Sequence, residues 1–115
     1  MEVSVAFTPG EAVSADVAIA IDVIRATSTI AAALGAGFRS VHCVTEIEEA
    51  RALAGRARLA GERGCVRVEG FDFGNSPAEL AEADGAGGEL ALTTTNGTRL
   101  LVAASTRCER VYAGA

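Results

Sequence analysis

A carboxylate and a guanidinium stand beside a predicted helix start in the first third of the sequence. Asp22 ends an apolar run, Arg25 follows it in the turn, and Thr27 can cap the helix that begins there. Because the first N–H groups of a helix are unpaired, they form an anion-binding site. These residues could together hold a metal ion and a phosphate. The alternative is an Asp–Arg pair that only fixes the turn.

A second polar segment, at 93–99, also joins a predicted strand to a predicted helix. Thr95, Thr98 and two further threonines bring four hydroxyl groups to this turn, and Asn96 adds an amide. All of these groups can bond phosphate oxygens, while Gly97 lets the backbone approach a ligand closely. The alternative is an ordinary Asn-Gly turn and helix cap. Four hydroxyl groups exceed what a cap needs, which favours a binding role.

A third segment, at 70–77, places Asn75 and Ser76 before a helix start, with two phenylalanines that could shield a site from water. The alternative is an Asn-Ser cap beside two core aromatic residues. Ligands in open α/β sheets bind beyond the carboxyl ends of the strands. If the preceding strands run parallel, all three segments meet at one edge of the sheet.

The elements that must position these segments alternate along the chain. Strands are predicted at 2–7, 17–23, 40–44, 65–68, 89–94 and 109–113, and helices at 26–36, 46–61, 77–83 and 99–105. The run at 17–23 is almost continuously apolar, which is typical of a central strand covered on both faces. We therefore predict one α/β domain over residues 1–115, a three-layer α/β/α sandwich with a largely parallel or mixed central sheet.

The amino-acid composition argues against several kinds of partner and cellular location. The net charge is −5 and the sequence pI about 4.8, so a nucleic-acid partner is not expected. All ten basic residues are arginine, which removes lysine chemistry. The apolar run at 17–24 is too short to span a bilayer, and no signal peptide is indicated. Three widely spaced cysteines without a CxxC pair are typical of reduced thiols, so we expect a cytoplasmic protein without a membrane partner.

Several phosphatase chemistries are excluded by residue types. His42 is the only histidine and lies inside a predicted strand, so a histidine phosphatase, a His–metal cluster and a Ser-His-Asp triad are ruled out within these residues. No cysteine is followed by arginine six positions later, as a cysteine phosphatase would require, and no DxD motif follows a strand.

Four stretches together resemble the 2-phosphosulfolactate phosphatase family of coenzyme M biosynthesis. They are IDVIRATSTIAAAL (21–34), GERG (61–64), EGFDFGNSPAE (69–79) and LTTTNGTR (92–99). The resemblance implies an α/β/α fold and a magnesium-dependent hydrolase that removes phosphate from 2-phospho-3-sulfolactate. It also implies that family members extend past residue 115. We therefore expect residues 1–115 alone to lack phosphatase activity, and to form a homo-oligomer or associate with the remainder of the domain.

The resemblance adds Glu62 and Arg63 to the candidates. After a helix in a strictly parallel unit, these two residues would lie at the edge away from the site; an antiparallel strand at 65–68 would bring them across. The candidate catalytic residues are Asp22, Arg25 and Glu62, with Mg²⁺ held by Asp22 and Glu62. The candidate substrate-binding residues are Thr27, Arg63, Asn75, Ser76, Thr95, Asn96, Gly97 and Thr98. The expected partner is a small anionic phosphorylated substrate. The alternative function is a non-catalytic module that binds a phosphorylated metabolite or nucleotide.

Overall fold

Strands and helices alternate as the sequence predicts, and the α/β class is confirmed. The computed structural model describes residues 1–11 and 14–115. After a 3-10 turn at Pro9–Glu11, the elements are β1 (Ala15–Ile21), α1 (Ala26–Gly35), β2 (Ser40–Val44), α2 (Ile47–Arg51), β3 (Ala57–Arg63), β4 (Val66–Arg67), α3 (Pro77–Ala81), β5 (Glu89–Thr93), α4 (Gly97–Ser105) and β6 (Cys108–Gly114). None of the helices in these ranges is long and apolar enough to cross a bilayer.

A four-stranded sheet with the order β2-β5-β3-β4 lies at the centre of the fold. The first three strands are parallel and β4 is antiparallel to β3, so the sheet is mixed. Gly61 pairs with Thr93, and any side chain at Gly61 would collide with the Thr93 carbonyl oxygen. This close approach brings the ends of β3 and β5 side by side, and with them Glu62 and Arg63.

Both faces of this sheet are covered because side chains alternate along each strand. Leu90 and Leu92 of β5 pack on one face against α1 and α3, and both are fully buried. Ala91 between them faces the other side, where α2 and the segment 68–71 complete a second apolar cluster. β5 is therefore a buried, near-central strand.

β1 and β6 form a separate, parallel two-stranded sheet. Ala20 is buried on the face that turns toward α1 and α4. Ile19 and Tyr112 pair with each other on the opposite face and are 66% and 53% exposed. The described residues thus cover this sheet on one face only.

Two predicted strands are wrong in place or surroundings. Residues 2–7 contain no strand. The strand predicted at 17–23 exists as β1, but it is mostly exposed and, among residues 1–11 and 14–115, pairs only with β6. Its prediction as a buried central strand is therefore wrong. An apolar run indicates a need for cover, and the layer that would cover β1 is not among the residues described.

The predicted helix at 46–61 is also wrong beyond its first turn. α2 ends at Arg51, Gly55 turns the chain with a φ of +87°, and β3 follows. Pairing with β5 overrides the helix-forming Ala, Leu and Arg residues of this stretch. β4 is antiparallel to β3, which was one of the two alternatives for the strand at 65–68. Glu62 nevertheless reaches the sheet edge that carries the candidate residues because β3 itself is parallel to β5.

Candidate active site

Asp22 lies directly after β1, where Thr27 holds its backbone in place. The Thr27 hydroxyl accepts from the Asp22 N–H at 3.1 Å and donates to the Asp22 carbonyl oxygen at 2.7 Å. The Thr27 N–H donates to the same carbonyl at 3.2 Å. Since Thr27 is buried and both of its polar groups are paired, it positions Asp22 and does not present a hydroxyl to a ligand.

The Asp22 carboxylate packs against the start of α4. A side chain at Gly97 would collide with Asp22 Oδ2 and with Ala26 Cβ, so only glycine fits there. A carboxylate beside a helix N-terminus is stabilised by the helix dipole. Within the ranges that the structure describes, no hydrogen bond reaches the Asp22 carboxylate oxygens, which leaves them able to accept a ligand.

A cavity of about 360 Å³ opens beside Asp22. It is lined by Phe7, Thr8, Ile21, Asp22, Asn96, Gly97, Arg99 and Leu100. Three candidate residues, Asp22, Asn96 and Gly97, are thus brought together. Sequence reasoning did not place Phe7 and Thr8 here, because it assigned residues 2–7 to a strand.

Arg99, which with Arg63 is a candidate for binding the sulfonate or carboxylate, lines the same cavity. Its guanidinium donates to Glu46 Oε1 at 3.3 Å, and both side chains are more than half exposed. Such an exposed pair exchanges readily with other partners.

Glu62 and Thr95 form a second group at this edge. The Thr95 N–H donates to Glu62 Oε1 at 2.7 Å, and the Thr95 hydroxyl donates to Glu62 Oε2 at 3.0 Å. The Cys65 N–H donates to Glu62 Oε2 at 2.9 Å. Burial raises the pKa of the Glu62 carboxyl, but these bonds and the charge of Arg63 outweigh it, so the pKa lies below its usual value.

Arg63 ties three strand ends together. Its guanidinium donates to the carbonyl oxygens of Glu62 and Thr45 at 2.7 and 2.9 Å and to the Thr93 hydroxyl at 3.0 Å. These acceptors follow or end β3, β2 and β5 respectively. The geometry gives Arg63 a structural role at the edge, in addition to any contact with a ligand.

Thr94 and Thr98 cap α4 reciprocally. The Thr94 hydroxyl accepts from the Thr98 N–H at 3.1 Å, and the Thr98 hydroxyl accepts from the Thr94 N–H at 3.0 Å. Both side chains are buried, so Thr98 does not reach the cavity. Of the four hydroxyl groups on this turn, two therefore form the cap and the others bond Glu62 and Arg63.

The loop at 71–76 is hydrogen-bonded to the first turn of α1, the end of the helix that follows Asp22. Asn75 is buried, and its Oδ1 accepts from the Thr29 hydroxyl at 2.7 Å. Ser76 caps α3, since its hydroxyl accepts from the Glu79 N–H at 3.2 Å. Phe71 is buried in the core. These contacts match the alternative of a cap beside core aromatic residues.

Arg25 immediately precedes α1 and is half-buried. Its carbonyl oxygen accepts from the Thr29 N–H at 2.9 Å. Its guanidinium has no ion pair or hydrogen bond with any other residue in 1–11 or 14–115. It lies near Asp22 in sequence and outside the group that lines the cavity.

The two expected magnesium ligands differ in chemistry. No group of three His, Cys, Asp or Glu residues able to hold a metal ion occurs in the described parts of the chain. Magnesium uses only one or two carboxylates and completes its shell with waters and substrate phosphate. The open Asp22 carboxylate fits that requirement. Glu62 fits it less well, since three of the roughly four acceptor positions of its carboxylate already accept hydrogen bonds from the protein.

Comparison with known proteins gives the family of this chain. The profile of 2-phosphosulpholactate phosphatase matches residues 4–115. The chain belongs to the 2-phosphosulpholactate phosphatase family. A protein of Gloeobacter violaceus, named probable 2-phosphosulfolactate phosphatase, is 48% identical over 109 residues, and the match covers 88% of this chain and 46% of that protein.

Two further relatives carry the same printed name. The protein of Carboxydothermus hydrogenoformans is 42% identical over 106 residues, and the match covers 88% of this chain and 44% of that protein. That of Synechococcus sp. strain CC9605 is 48% identical over 91 residues, and the match covers 75% of this chain and 37% of that protein. The chain thus spans less than half the length of these family members.

Proposed function

We propose that this chain carries the phosphate-binding edge of a magnesium-dependent phosphoric monoester hydrolase acting on 2-phospho-3-sulfolactate. The observation that carries the proposal is the Asp22 carboxylate, open to the cavity and held against Gly97 at the start of α4. The printed name of the family's curated relatives supplies the substrate class. The alternative is a module that binds phosphorylated ligands without hydrolysing them.

The charges at this edge favour a bound cation. The proposed substrate carries a phosphate, a sulfonate and a carboxylate, so it is strongly anionic. Three arginines and three carboxylates of the chain, whose formal charges cancel, stand at or near the edge: Arg25, Arg63 and Arg99 with Asp22, Glu46 and Glu62. Mg²⁺, which Asp22 would hold, supplies positive charge to the phosphoryl oxygens when it is bound.

The residues of the chain supply positioning and charge. In the hydrolysis, water adds at phosphorus and the bond between phosphorus and the ester oxygen on C2 of the lactate breaks. That oxygen leaves as a protonated hydroxyl group. Positioning and charge stabilisation provide most of the catalysis in phosphoryl transfer. Asn96 can hold a phosphoryl oxygen beside Asp22, and Arg99 can exchange Glu46 for the sulfonate or carboxylate. Arg25, whose guanidinium lacks an ionic partner among the described residues, can bind a further oxyanion.

The test is the release of inorganic phosphate from 2-phospho-3-sulfolactate. It is measured on the protein at its full natural length, once with Mg²⁺ and once with excess chelator. Release that requires Mg²⁺ is the expected result. Binding of the substrate in the presence of Mg²⁺ without any release would contradict it and would favour the binding module.

A further inference from the structure

Glu62 is surrounded by donors of the protein itself. It is only 6% exposed, and it accepts the N–H and the hydroxyl of Thr95 together with the N–H of Cys65. The three bonds are 2.7 to 3.0 Å long. Two of the donors are backbone N–H groups, which cannot turn away without a change of the chain path. The carboxylate is therefore committed to its neighbours before any ligand binds.

Three roles are chemically open to such a carboxylate: metal ligand, base toward the Thr95 hydroxyl, and anchor. A metal ion could reach only the acceptor position left on Glu62 Oε1, unless it displaced one of the three donors. A carboxyl whose pKa lies below its usual value holds a proton poorly, so it is a weak base for a hydroxyl group. An anchor requires an ionised, buried carboxylate that is hydrogen-bonded to the segment it holds, which is what Glu62 is.

We infer that Glu62 is a positioning residue, which fixes the turn Thr95–Asn96 in the conformation that binds the substrate phosphate, and that it does not ligate the metal. The inference rests on the proposed function. Glu62 acts on Thr95, and the next residue, Asn96, lines the cavity with Asp22. Loss of the anchor therefore loosens the phosphate-binding turn and leaves the Asp22 side of the cavity intact.

The surroundings of Glu62 keep this anchor in place. Gly61 lets β3 approach β5 closely enough for the next side chain to reach the turn after β5. Arg63 holds the strand ends on either side through Thr45 and Thr93. Three consecutive residues of β3 therefore act together on the turn that follows β5.

Calorimetric titration of the protein at its full natural length with inorganic phosphate and, separately, with Mg²⁺ tests the inference. We expect Glu62→Gln to weaken phosphate binding about 10-fold, the effect of one lost charge-assisted hydrogen bond, and to leave Mg²⁺ binding within about 2-fold of wild type. Asp22→Asn should do the reverse and weaken Mg²⁺ binding. Glu49→Gln is the matched control, since Glu49 also accepts a backbone N–H and a threonine hydroxyl, from Glu46 and Thr45, away from the Thr95 turn.

If Glu62→Gln does not fold, Thr95→Val decides. This change removes the hydroxyl bond to Glu62 and keeps the backbone bond and the side-chain shape. We expect about 3-fold weaker phosphate binding, a smaller loss because only one bond goes, with Thr106→Val as a control that also loses one hydroxyl bond. In the double variant Glu62→Gln/Thr95→Val, the loss should not exceed that of the stronger single variant, because both changes break one unit.

Weaker Mg²⁺ binding in Glu62→Gln would make Glu62 a metal ligand and overturn the inference. Phosphate binding that is unchanged in Glu62→Gln would also overturn the inference. If Glu62→Gln does not fold, unchanged phosphate binding in Thr95→Val would do so. A wild-type protein of full natural length that binds neither Mg²⁺ nor phosphate would overturn the proposed function and this inference together. Binding by wild type with unaltered variants would overturn the inference alone.

Discussion

The four-stranded sheet and the β1–β6 sheet differ in how many faces are covered. Leu90, Leu92 and Ala91 of β5 are fully buried between two apolar clusters. Ile19 and Tyr112 of the smaller sheet are more than half exposed on its open face. β5 and β1 have similarly apolar sequences. The apolar pattern of a strand therefore indicates how much cover the strand requires, and not which residues provide that cover.

The candidate site lies where the two sheets meet. Asp22 follows β1 of the small sheet, and Gly97 begins the helix that follows β5 of the large one. One side of the site therefore rests on a sheet packed on both faces and the other on a sheet packed on one. Changes on the two sides should therefore differ in their effect on stability.

Leu92→Ala should cost the most stability. Leu92 is fully buried against α1 and α3, so its truncation leaves a cavity and should lower the free energy of unfolding by about 2–5 kcal/mol. Ile19→Ala, the matched truncation in β1, should change it by no more than about 0.5 kcal/mol. Urea unfolding followed by circular dichroism measures both. Equal losses would mean that the open face of β1 is covered in solution.

Gly97→Ala should disturb the contact between the two sheets. The new methyl group would collide with Ala26 and the Asp22 carboxylate, and we expect a loss of about 1–3 kcal/mol in the free energy of unfolding. Gly35→Ala, in α1, meets no atom within 4 Å and should stabilise the chain by about 0.4–1 kcal/mol. Equal effects of the two changes in the same urea experiment would show that the Asp22–Gly97 contact is not tight.

The start of the large sheet should be sensitive to acid. Arg56 and Arg39 hold the pKa of the Glu89 carboxyl at about 2, against 4.5 for a free side chain, and His42 Nε2 lies 3.5 Å away. The pKa of the Glu89 carboxyl is lower in the folded chain than in the unfolded chain, so ionised Glu89 stabilises the fold at neutral pH. This stabilisation is lost as the pH falls from about 4.5 through about 2.

Glu89→Gln should therefore flatten the fall in the free energy of unfolding between about pH 5 and about pH 2. The control is Asp16→Asn, an exposed carboxylate of β1 without an ion pair in the described ranges. If both variants retain the wild-type acid dependence, the Glu89 cluster does not cause it.

The smallest effect on stability, and a clear effect on association, is expected of Ile19→Asp. The exposed apolar face of β1 and β6 favours contact with another polypeptide, so the wild-type chain should sediment above its mass of 11.7 kDa at high concentration. Ile19→Asp should reduce this association, whereas Leu34→Asp, at a 49% exposed site on α1, should not. Equal association of the two variants would exclude the open face as the cause.

Local patterns predicted much of the fold. The strand at 40–44 was predicted to the residue, and the helix starts after Arg25 and Ser76 follow from polar residues that precede apolar ones. β3 was missed because its Ala, Leu and Arg residues favour a helix. Only pairing with β5, some thirty residues further along, makes that stretch a strand.

The candidate site was predictable to a smaller extent. The positions of Asp22, Asn96 and Gly97 follow from strand ends and turn residues. The contact between Glu62 and Thr95 joins residues 33 positions apart, and no local pattern contains it. Similarly, the four hydroxyl groups of 93–99 suggested ligand binding, whereas their described bonds go to the protein itself, because capping and strand-end contacts depend on the tertiary fold.

The most direct test of the account is the Mg²⁺ dependence of phosphate release from 2-phospho-3-sulfolactate by the natural protein and its Asp22→Asn variant. The variant keeps the size of the side chain and removes the negative charge that a hard cation requires. We predict that release by wild type requires Mg²⁺, and that the variant releases phosphate on the order of 100-fold more slowly at the same Mg²⁺ concentration. Near-normal release by the variant, with an unchanged Mg²⁺ dependence, would contradict the account.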